Sequence, residues 1–212
     1  VLQARHRKKV LGPIFEAIAE EDFETAAQLC QDRFEQRGEY WLYAARVGAE
    51  LWVRLNQLDK ARYLYEAVRE ARAAPWAKLG IARVELESGQ LQQATRTLES
   101  LIGEQPTYAD AYDVMGRVQV EQGDMTAALE TYRTATELTP ASISRLQKQG
   151  MLAFYMGEAA EATDALERTV RIGSAGKTFS LTGWKVGYVS GPEAMIHPIA
   201  KAHQLVTFTT PP

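Results

Sequence analysis

An internal period of about 34 residues constrains this chain more than any other feature of its sequence. Five segments, EDFETAA, NQLDKAR, GQLQQAT, GDMTAAL and GEAAEAT, each carry an alanine five places after a turn-like residue. The spacings between successive alanines are 35, 33, 34 and 34 residues, and the alanines are Ala26, Ala61, Ala94, Ala128 and Ala162. A fixed period of this size is typical of a stack of similar supersecondary units.

Each period predicts two helices joined by a short turn. The first helix ends at a Gly or Asn that can adopt a left-handed conformation, and the second helix begins at once. Pro106 and Pro140 stand twelve places after two of the alanines, where a proline ends the second helix. In the first unit, Gly12 and Pro13 predict an interruption of the first helix.

The aromatic residues Tyr65 and Tyr132, four places after an alanine, and the small residues Gly116 and Gly150, twelve places before one, resemble the tetratricopeptide repeat (TPR) pattern. The resemblance covers residues 1–173 and implies an all-α, TPR-like superhelical array of about five helix-turn-helix units. Stacking supplies its stability, because an isolated helix pair cannot bury its apolar face. Cys30 takes the place of the two tyrosines and is expected to be a small core residue.

The first helices of such an array line a concave wall, and walls of this kind commonly bind peptides. We therefore expect a noncatalytic scaffold with a protein or peptide partner in the groove. Three arginines, Arg46, Arg83 and Arg117, recur near one helical phase and could form a ladder that binds a carboxylate or backbone carbonyls. Alternatively, Glu50, Glu87, Asp113 and Glu121 pair with them on an ordinary solvated face. The predicted partner-binding residues are Tyr43, Arg46, Arg83, Arg117 and Gln147; Trp76, Leu79, Met151 and Tyr155 are also expected on this wall.

A different pattern begins at Ser174, with the sequence SAGKTFSLTGWKVGY. This segment, together with VSGP, AKAHQ and TFTTPP after it, resembles the Schiff-base lysine region of class I aminotransferases of the kynurenine or methionine type. The resemblance implies pyridoxal phosphate as cofactor, with Lys177 as the lysine that binds it covalently. Ser174 and Lys185 would hold the cofactor phosphate. The repeat array itself is expected to need no cofactor.

Two domains are predicted, the array at residues 1–173 and an incomplete aminotransferase-like fragment at residues 174–212. Whether the chain is an enzyme stays open, with a noncatalytic role preferred. The alternative is a chimeric or truncated product that carries part of a pyridoxal-phosphate-dependent aminotransferase. That product is not expected to be active as this chain alone, because residues 1–173 offer no parallel strands to carry the family's other cofactor-binding groups.

In the tail, a strand is predicted at Lys185–Ser190, after a helix that runs through residues 163–172. The apolar residues Met195, Ile196, Ile199, Ala202 and Val206 have near-helical spacing between Glu193 and Phe208. Such a helix could cap the open end of the array. The alternative is a tail with little fixed structure.

Composition limits the function classes. The formal charge of -3 and the pI near 5.7 give no general attraction to nucleic acid, and no apolar run approaches the roughly 20 residues that span a bilayer. With one cysteine and no leader pattern, a cytoplasmic setting is expected. His6, His197 and His203 have no metal-binding spacing, so no metal site is predicted. The oligomeric state is not predicted.

Overall fold

The computed structural model describes residues 2–72, 74–167, 171–174 and 187–190, and these residues form ten helices and two short strands. The helices follow one another along the chain in five helix-turn-helix pairs. The elements are α1 (Leu2–Ala19), α2 (Phe23–Glu35), α3 (Trp41–Arg54), α4 (Leu58–Ala71), α5 (Pro75–Glu87), α6 (Leu91–Glu104), α7 (Ala109–Glu121), α8 (Met125–Leu138), α9 (Ile143–Met156), α10 (Ala159–Glu167), β1 (Arg171–Ser174) and β2 (Gly187–Ser190). The predicted all-α class with five units is confirmed.

The repeat alanines explain why each second helix sits where it does. Each is the fourth residue of an even-numbered helix, and all five are at most 3 % exposed. A methyl group at this point lets the second helix pack closely against its neighbours. The predicted helix ends after two of these alanines are also confirmed, because α6 and α8 stop two residues before Pro106 and Pro140.

The turns inside the pairs share one backbone geometry. The residue five places before each alanine has φ between 57° and 83°; these residues are Glu21, Asn56, Gly89, Gly123 and Gly157. The next residue donates its N–H to the carbonyl five places earlier, at 2.8–2.9 Å in all five turns. This left-handed cap satisfies carbonyls that the helix end would otherwise leave free. The prediction of left-handed turns is confirmed, and in the first unit a glutamate takes the conformation.

Close approach of helices is clearest at Gly80 in α5. A Cβ built on this residue would lie 2.3 Å from Cε1 of the Tyr65 ring. Tyr65 belongs to α4 and is buried. The missing side chain at residue 80 therefore provides the space for the tyrosine ring of the preceding helix pair.

By its contacts the chain divides into two compact bodies, an N-terminal body at residues 1–124 and a C-terminal body at residues 125–212. The N-terminal body holds two core clusters, one centred on α1–α4 and one on α5–α7. Helix α5 contributes to both, with Ile81 and Val84 in the first cluster and Leu79 and Leu86 in the second. The C-terminal body has a smaller cluster that contains Leu129, Ala153 and Ala162.

Two expectations about helix limits are wrong. Helix α1 runs through Pro13 without interruption, because the flanking residues Leu11 and Ile14 are both buried in the first core cluster and hold the two halves in place. Helix α10 ends at Glu167 instead of continuing to Ile172, and residues 171–174 form β1. The stretch around β1 is rich in β-branched residues, which favour a strand.

The predicted strand in the tail is confirmed over Gly187–Ser190, which form β2, and the first two residues of the prediction lie outside the described residues. It pairs antiparallel with β1, and the register joins Arg171 to Ser190 and Ser174 to Gly187. The predicted helix at Glu193–Phe208 lies outside the described residues, so it stays a prediction. The boundary between domains at residues 173 and 174 also stays a prediction.

None of the described helices is both long enough and apolar enough to cross a lipid bilayer.

Candidate functional site

The first helices of the second to fourth pairs carry the predicted partner-binding residues of the N-terminal body. Tyr43 and Arg46 lie on α3, Arg83 on α5 and Arg117 on α7. Tyr43, Arg46 and Arg117 are exposed and Arg83 is half-buried. Leu79 of α5 was expected on the same wall but is buried in the second core cluster, because its phase on the helix points it at α6 and α7.

The three arginines do not occupy one repeat position. Arg83 and Arg117 stand eleven places before their repeat alanines, whereas Arg46 stands fifteen places before Ala61. Arg46 is therefore one helical turn nearer the start of its helix, and the residue of α3 that aligns with Arg83 is Glu50. A regular ladder with one arginine on each helix is not the arrangement found.

Arg46 is shared between an acid and an aromatic ring. Its Nε lies 3.7 Å from Oε1 of Glu50, one turn further along α3, and both side chains are more than half exposed. Its guanidinium carbon lies 5.6 Å from the centre of the Trp76 ring on α5. The ion pair is exposed and weak, whereas the contact with Trp76 links the surfaces of α3 and α5.

Arg117 forms a closer ion pair. Its Nη2 donates to Oε1 of Glu87 at 2.9 Å, which joins α7 to α5. Both side chains are more than two-fifths exposed, so the pair is worth little energy but occupies the guanidinium. For Arg46 and Arg117, the alternative of pairing with acidic neighbours is therefore what the structure contains.

Arg83 differs from the other two arginines. Within the described part of the chain, no carboxylate lies within ion-pair distance of it and no hydrogen bond uses its guanidinium. Its charge acts on the phenols of Tyr65 and Tyr108, and the charge of Arg46 acts on the same two phenols. The charges of these two arginines thus act on the same pair of tyrosines.

The two tyrosines were not predicted as site residues. Burial, with a smaller contribution from Glu50, raises the pKa of Tyr65 to about 12, against the opposing effect of Arg83 and Arg46. Burial also raises the pKa of Tyr108, with a smaller contribution from Asp110. Both phenols therefore stay protonated at neutral pH. Tyr108 occupies the repeat position of Trp41, just before a first helix, and this shared aromatic position is the sequence signal that could have identified it.

Together these residues form what we call the arginine–aromatic patch: Arg46, Tyr65, Trp76, Arg83 and Tyr108. The rings of Tyr65 and Trp76 meet edge to face, with their centres 6.2 Å apart. Such contacts hold the indole in a defined orientation beside Arg46. The patch combines fork-shaped donors with the half-buried rings of Trp76 and Tyr108, and the buried Tyr65 ring supports the indole.

Tyr43 and Gln147 take no part in the contacts described for the patch. The Tyr43 ring packs edge to face against Phe15 of α1, with 6.3 Å between the ring centres. Gln147 is on α9, which belongs to the C-terminal body, and is half-buried. The structure therefore brings together Arg46 and Arg83 from the predicted set, with Arg117 linked to α5 through Glu87.

The C-terminal body has a polar cleft of about 400 Å³, lined by Arg133, Thr136, Glu137, Pro140, Gln149 and Glu161. Arg133 pairs with both Glu161 and Glu130, and Nε2 of Gln149 donates to Oε1 of Glu161 at 2.7 Å. The hydrogen bond from Arg133 lowers the pKa of Glu161. Because both charges are already neutralised, this cleft is a structural ion-pair network rather than a site for a charged ligand.

The remaining predicted site residues belong to the tail or to the core. Lys177 and Lys185 lie outside the described residues, and Ser174 is the last residue of β1. Cys30 is buried, and burial raises the pKa of its thiol to about 12, as expected for an unreactive core residue. No group of three or more His, Cys, Asp or Glu side chains in the described residues is arranged to hold a metal ion.

The tail is similar to known enzymes over a short length. The family model for aminotransferase class I and II matches residues 144–211. Kynurenine–oxoglutarate transaminase of Dictyostelium discoideum is 62 % identical over 45 residues, which are 21 % of this chain and 10 % of that protein. Methionine aminotransferase of Escherichia coli is 49 % identical over 43 residues, or 20 % of this chain and 11 % of that protein. The chain spans about a tenth of these relatives.

The helical array has structural relatives over most of its length. TTC0263, a TPR protein of Thermus thermophilus, has a TM-score of 0.61 at 16 % identity and covers 75 % of this chain and 87 % of that chain. A MamA fragment from Desulfovibrio magneticus has a TM-score of 0.59 at 17 % identity, over 76 % of this chain and 93 % of that chain. At these identities the likeness concerns the fold alone.

The family model described as tetratricopeptide repeat-like domain matches residues 8–154, well over half of the 212 residues. The periodic alanines, the left-handed turns and the five helix pairs are the physical basis of that match. The chain therefore belongs to the tetratricopeptide repeat-like domain family.

Proposed function

We propose that the protein is a noncatalytic scaffold that binds a protein or peptide through the face formed by α3, α5 and α7. The observation that carries the proposal is Arg83, a half-buried cation without a carboxylate partner in the described residues. Its charge and that of Arg46 both act on the phenols of Tyr65 and Tyr108. A partner that brings a carboxylate to this point gains a hydrogen-bonded ion pair and displaces no existing one.

The composition of the patch supports this role. Arginine, tryptophan and tyrosine are the residue types that dominate binding energy at protein interfaces. A guanidinium can grip a carboxylate with two parallel hydrogen bonds, and an indole offers a flat apolar surface to a neighbouring side chain. We therefore expect a ligand with an acidic group beside an apolar or aromatic residue. Tyr43 and Arg117 complete the proposed partner-binding set on this face, and Gln147 stays a separate prediction in the C-terminal body.

The test compares two labelled pools of short peptides, one rich in Asp and Glu and one with Asn and Gln at the same places. Fluorescence anisotropy should show binding of the acidic pool. Arg83→Ala should weaken that binding at least about tenfold, which corresponds to about 1.4 kcal/mol. Arg83→Lys should retain part of it, because the charge remains but the fork is lost.

Arg96→Ala is the matched control, because Arg96 is an exposed arginine on the second helix α6 and its loss changes the net charge equally. This variant should bind like the unmodified protein. Equal affinity of the two pools, or equal loss in the Arg83 and Arg96 variants, would refute the proposed site.

The similarity of the tail to kynurenine and methionine aminotransferases favours a second candidate function, transamination with pyridoxal phosphate. The described residues do not fit that cofactor. The resemblance implies a mostly parallel sheet, whereas β1 and β2, the strands among the described residues, form an antiparallel pair. Of the three residues assigned to the cofactor, Lys177 and Lys185 lie outside the described residues. No catalytic step is derived for this chain.

Absorbance spectroscopy decides between the two functions. Pyridoxal phosphate is added to the protein, and the spectrum is compared with that of the cofactor mixed with free lysine. A stable additional band that is lost in Lys177→Ala and kept in the control Lys201→Ala would favour the aminotransferase-like function. A spectrum no different from the lysine mixture supports the scaffold, with residues 174–212 as an incomplete domain.

A further inference from the structure

The loop between α2 and α3 holds an arginine against two aromatic rings. The guanidinium carbon of Arg37 lies 4.6 Å from the centre of the Phe34 ring and 4.4 Å from the centre of the Trp41 ring. Stacking of this kind fixes the plane of a guanidinium and leaves the N–H groups at its edge able to donate. Arg37 is exposed, and no hydrogen bond or ion pair in the described part of the chain uses its guanidinium.

The backbone at this arginine has an unfavourable conformation. Arg37 has φ of 50°, and Tyr40 in the same loop has φ of 68°. Gly38, which could adopt a positive φ freely, is not among the glycines that do. The other two described non-glycine residues with a positive φ, Glu21 and Asn56, lie in the recurrent turns inside the helix pairs. Strain outside such a recurrent turn is typical of a functional position.

A second arginine without an acidic partner reaches the same loop. Arg33 is in the last turn of α2 and is half-buried. A Cβ built on Gly38 would lie 3.9 Å from Nη1 of Arg33. Among the described residues, no carboxylate lies within ion-pair distance of Arg33. Two like charges at one loop repel each other, and an anion bound between them would remove that repulsion.

Acids on the same helix are engaged with glutamines instead. Nε2 of Gln28 donates to Oδ1 of Asp32 at 2.8 Å. Nε2 of Gln31 donates to Oε1 of Glu35 at 3.1 Å. The favourable field at a helix C-terminus accounts for cations near the end of α2. It does not account for the positive φ of Arg37 or for its position over two rings.

Tyr63 extends this surface onto α4. Its ring meets the Phe34 ring edge to face, with 6.0 Å between the ring centres, and Tyr63 is 50 % exposed. Trp41 is half-buried. An aromatic surface is therefore open to a ligand beside the two cations. We call this set the loop–arginine patch: Arg33, Phe34, Arg37, Trp41 and Tyr63.

We propose that the loop–arginine patch binds a phosphorylated side chain of a peptide. A phosphate monoester carries about two negative charges at neutral pH and three acceptor oxygens, so it can accept from two guanidinium groups at once. A carboxylate carries about half of that charge and has one acceptor oxygen fewer. Arginine clusters are a recurrent means of recognising phosphorylated peptides, and peptide residues beside the phosphate would contact Trp41 and Tyr63.

A nucleic acid is a poorer match for this patch than a single phosphate group. Asp32, Glu35 and Glu39 alternate with the two arginines along the chain, and their charges repel an extended polyanion. The loop–arginine patch shares no residue with the arginine–aromatic patch, so either site can exist without the other.

Fluorescence anisotropy with the full chain tests this site. The probes are a pool of labelled short peptides with phosphoserine between randomised residues and a matched pool with serine at that place. The phosphoserine pool should bind at least about tenfold more tightly than the serine pool. Arg37→Gly should abolish this preference but keep the helical circular dichroism, because glycine adopts the positive φ freely. Arg33→Ala should weaken binding of the phosphoserine pool at least about tenfold.

Arg72→Ala is the matched control. Arg72 stands eleven places after Ala61, as Arg37 stands eleven places after Ala26, and it is also exposed. Its φ is −154°, and it stacks on no aromatic ring of the described residues. Arg72→Ala should bind the phosphoserine pool like the unmodified protein. Arg83→Ala should do the same, because Arg83 belongs to the arginine–aromatic patch.

Four outcomes would overturn the proposal. Equal binding of the two pools, or binding of neither, would show that the patch does not recognise phosphate. Equal losses in the Arg37 and Arg72 variants would reduce the effect to net charge. Loss of binding in Arg83→Ala would assign the phosphopeptide to the arginine–aromatic patch. Tighter binding of a short labelled single-stranded DNA, lost in Arg37→Gly, would assign the surface to nucleic acid.

Discussion

Glu21 is the residue whose replacement should most clearly stabilise the fold. It has φ of 60° in the turn between α1 and α2, at the position held by glycine in the third, fourth and fifth turns. Its side chain is exposed. A residue with a Cβ costs roughly 1–2 kcal/mol in this conformation, whereas glycine adopts it freely. Glu21→Gly should remove that cost.

The gain is reduced by the greater freedom of glycine in the unfolded chain, which is worth about 0.4–1 kcal/mol. The expected net effect is a stabilisation of about 0.5–1 kcal/mol. Gly89→Ala is the reverse experiment, because φ at this residue is 73° and a Cβ would meet no atom within 4 Å. This variant should lose about 1 kcal/mol from backbone strain alone.

Urea titration followed by circular dichroism measures both changes, and Glu20→Gly is the matched control. Glu20 is the neighbouring exposed glutamate, and its N–H still donates to Glu16 at 3.0 Å as in a helix. Its replacement removes the same charge but should destabilise by about 0.5–1 kcal/mol. If the two glycine variants shift the midpoint in the same direction, the conformational argument fails.

Other substitutions test the packing and the buried groups. Gly80→Ala places a methyl group 2.3 Å from the Tyr65 ring and should cost about 1–3 kcal/mol in urea titration, part of which Tyr65→Leu in the same chain should restore. The Arg133 hydrogen bond holds the pKa of Glu161 below its ordinary value of 4.5. The ion pair therefore stabilises the fold above pH 4.5, and this contribution is lost as the pH falls through the native pKa of Glu161. Glu161→Gln should lower the free energy of unfolding by about 1 kcal/mol at pH 7 and reduce its pH dependence between about pH 5 and 3. Burial raises the pKa of the Cys30 thiol to about 12, so a thiol reagent should label Cys30 only as fast as the fold opens to expose it. The free energy of unfolding should also fall above about pH 8.5, where the thiol ionises in the unfolded chain but not in the folded one.

The sequence predicts the helix pairs well because their constraints are local and repeat. A small residue is needed wherever two helices approach, and a residue tolerant of positive φ is needed wherever the turn reverses. Both recur at a fixed spacing, so Ala94 and Gly123 identify their turns without further information. In the first unit this position holds Glu21, whose spacing from Ala26 marks the turn, but a glutamate does not itself indicate the positive φ that the structure shows.

The site is less predictable, because it depends on which side chains meet across helices. The helical phase places Arg46 and Arg83 on similar faces but cannot show that Arg46 contacts Glu50 and Trp76 while Arg83 has no ion pair in the described residues. The sequence marks Tyr65 only as a repeat position and does not single out Tyr108, because the action of two cations on these phenols follows from tertiary structure. The end of α10 was misplaced for the same reason, since β1 exists through pairing with a strand about 13 residues further along the chain.

Helix α5 has a consequence for the energetics of recognition. Its buried residues belong to two core clusters, so the helix is held from both sides. A helix restrained in this way has little conformational entropy left to lose when a partner arrives, and Arg83 starts from a fixed base on its surface. Binding to a preorganised cation retains more of the contact energy as affinity than binding to a cation on a mobile segment. Because α5 contributes to both clusters, disruption of one cluster should also weaken the other. This coupling is expected when neighbouring repeats stabilise each other across shared interfaces.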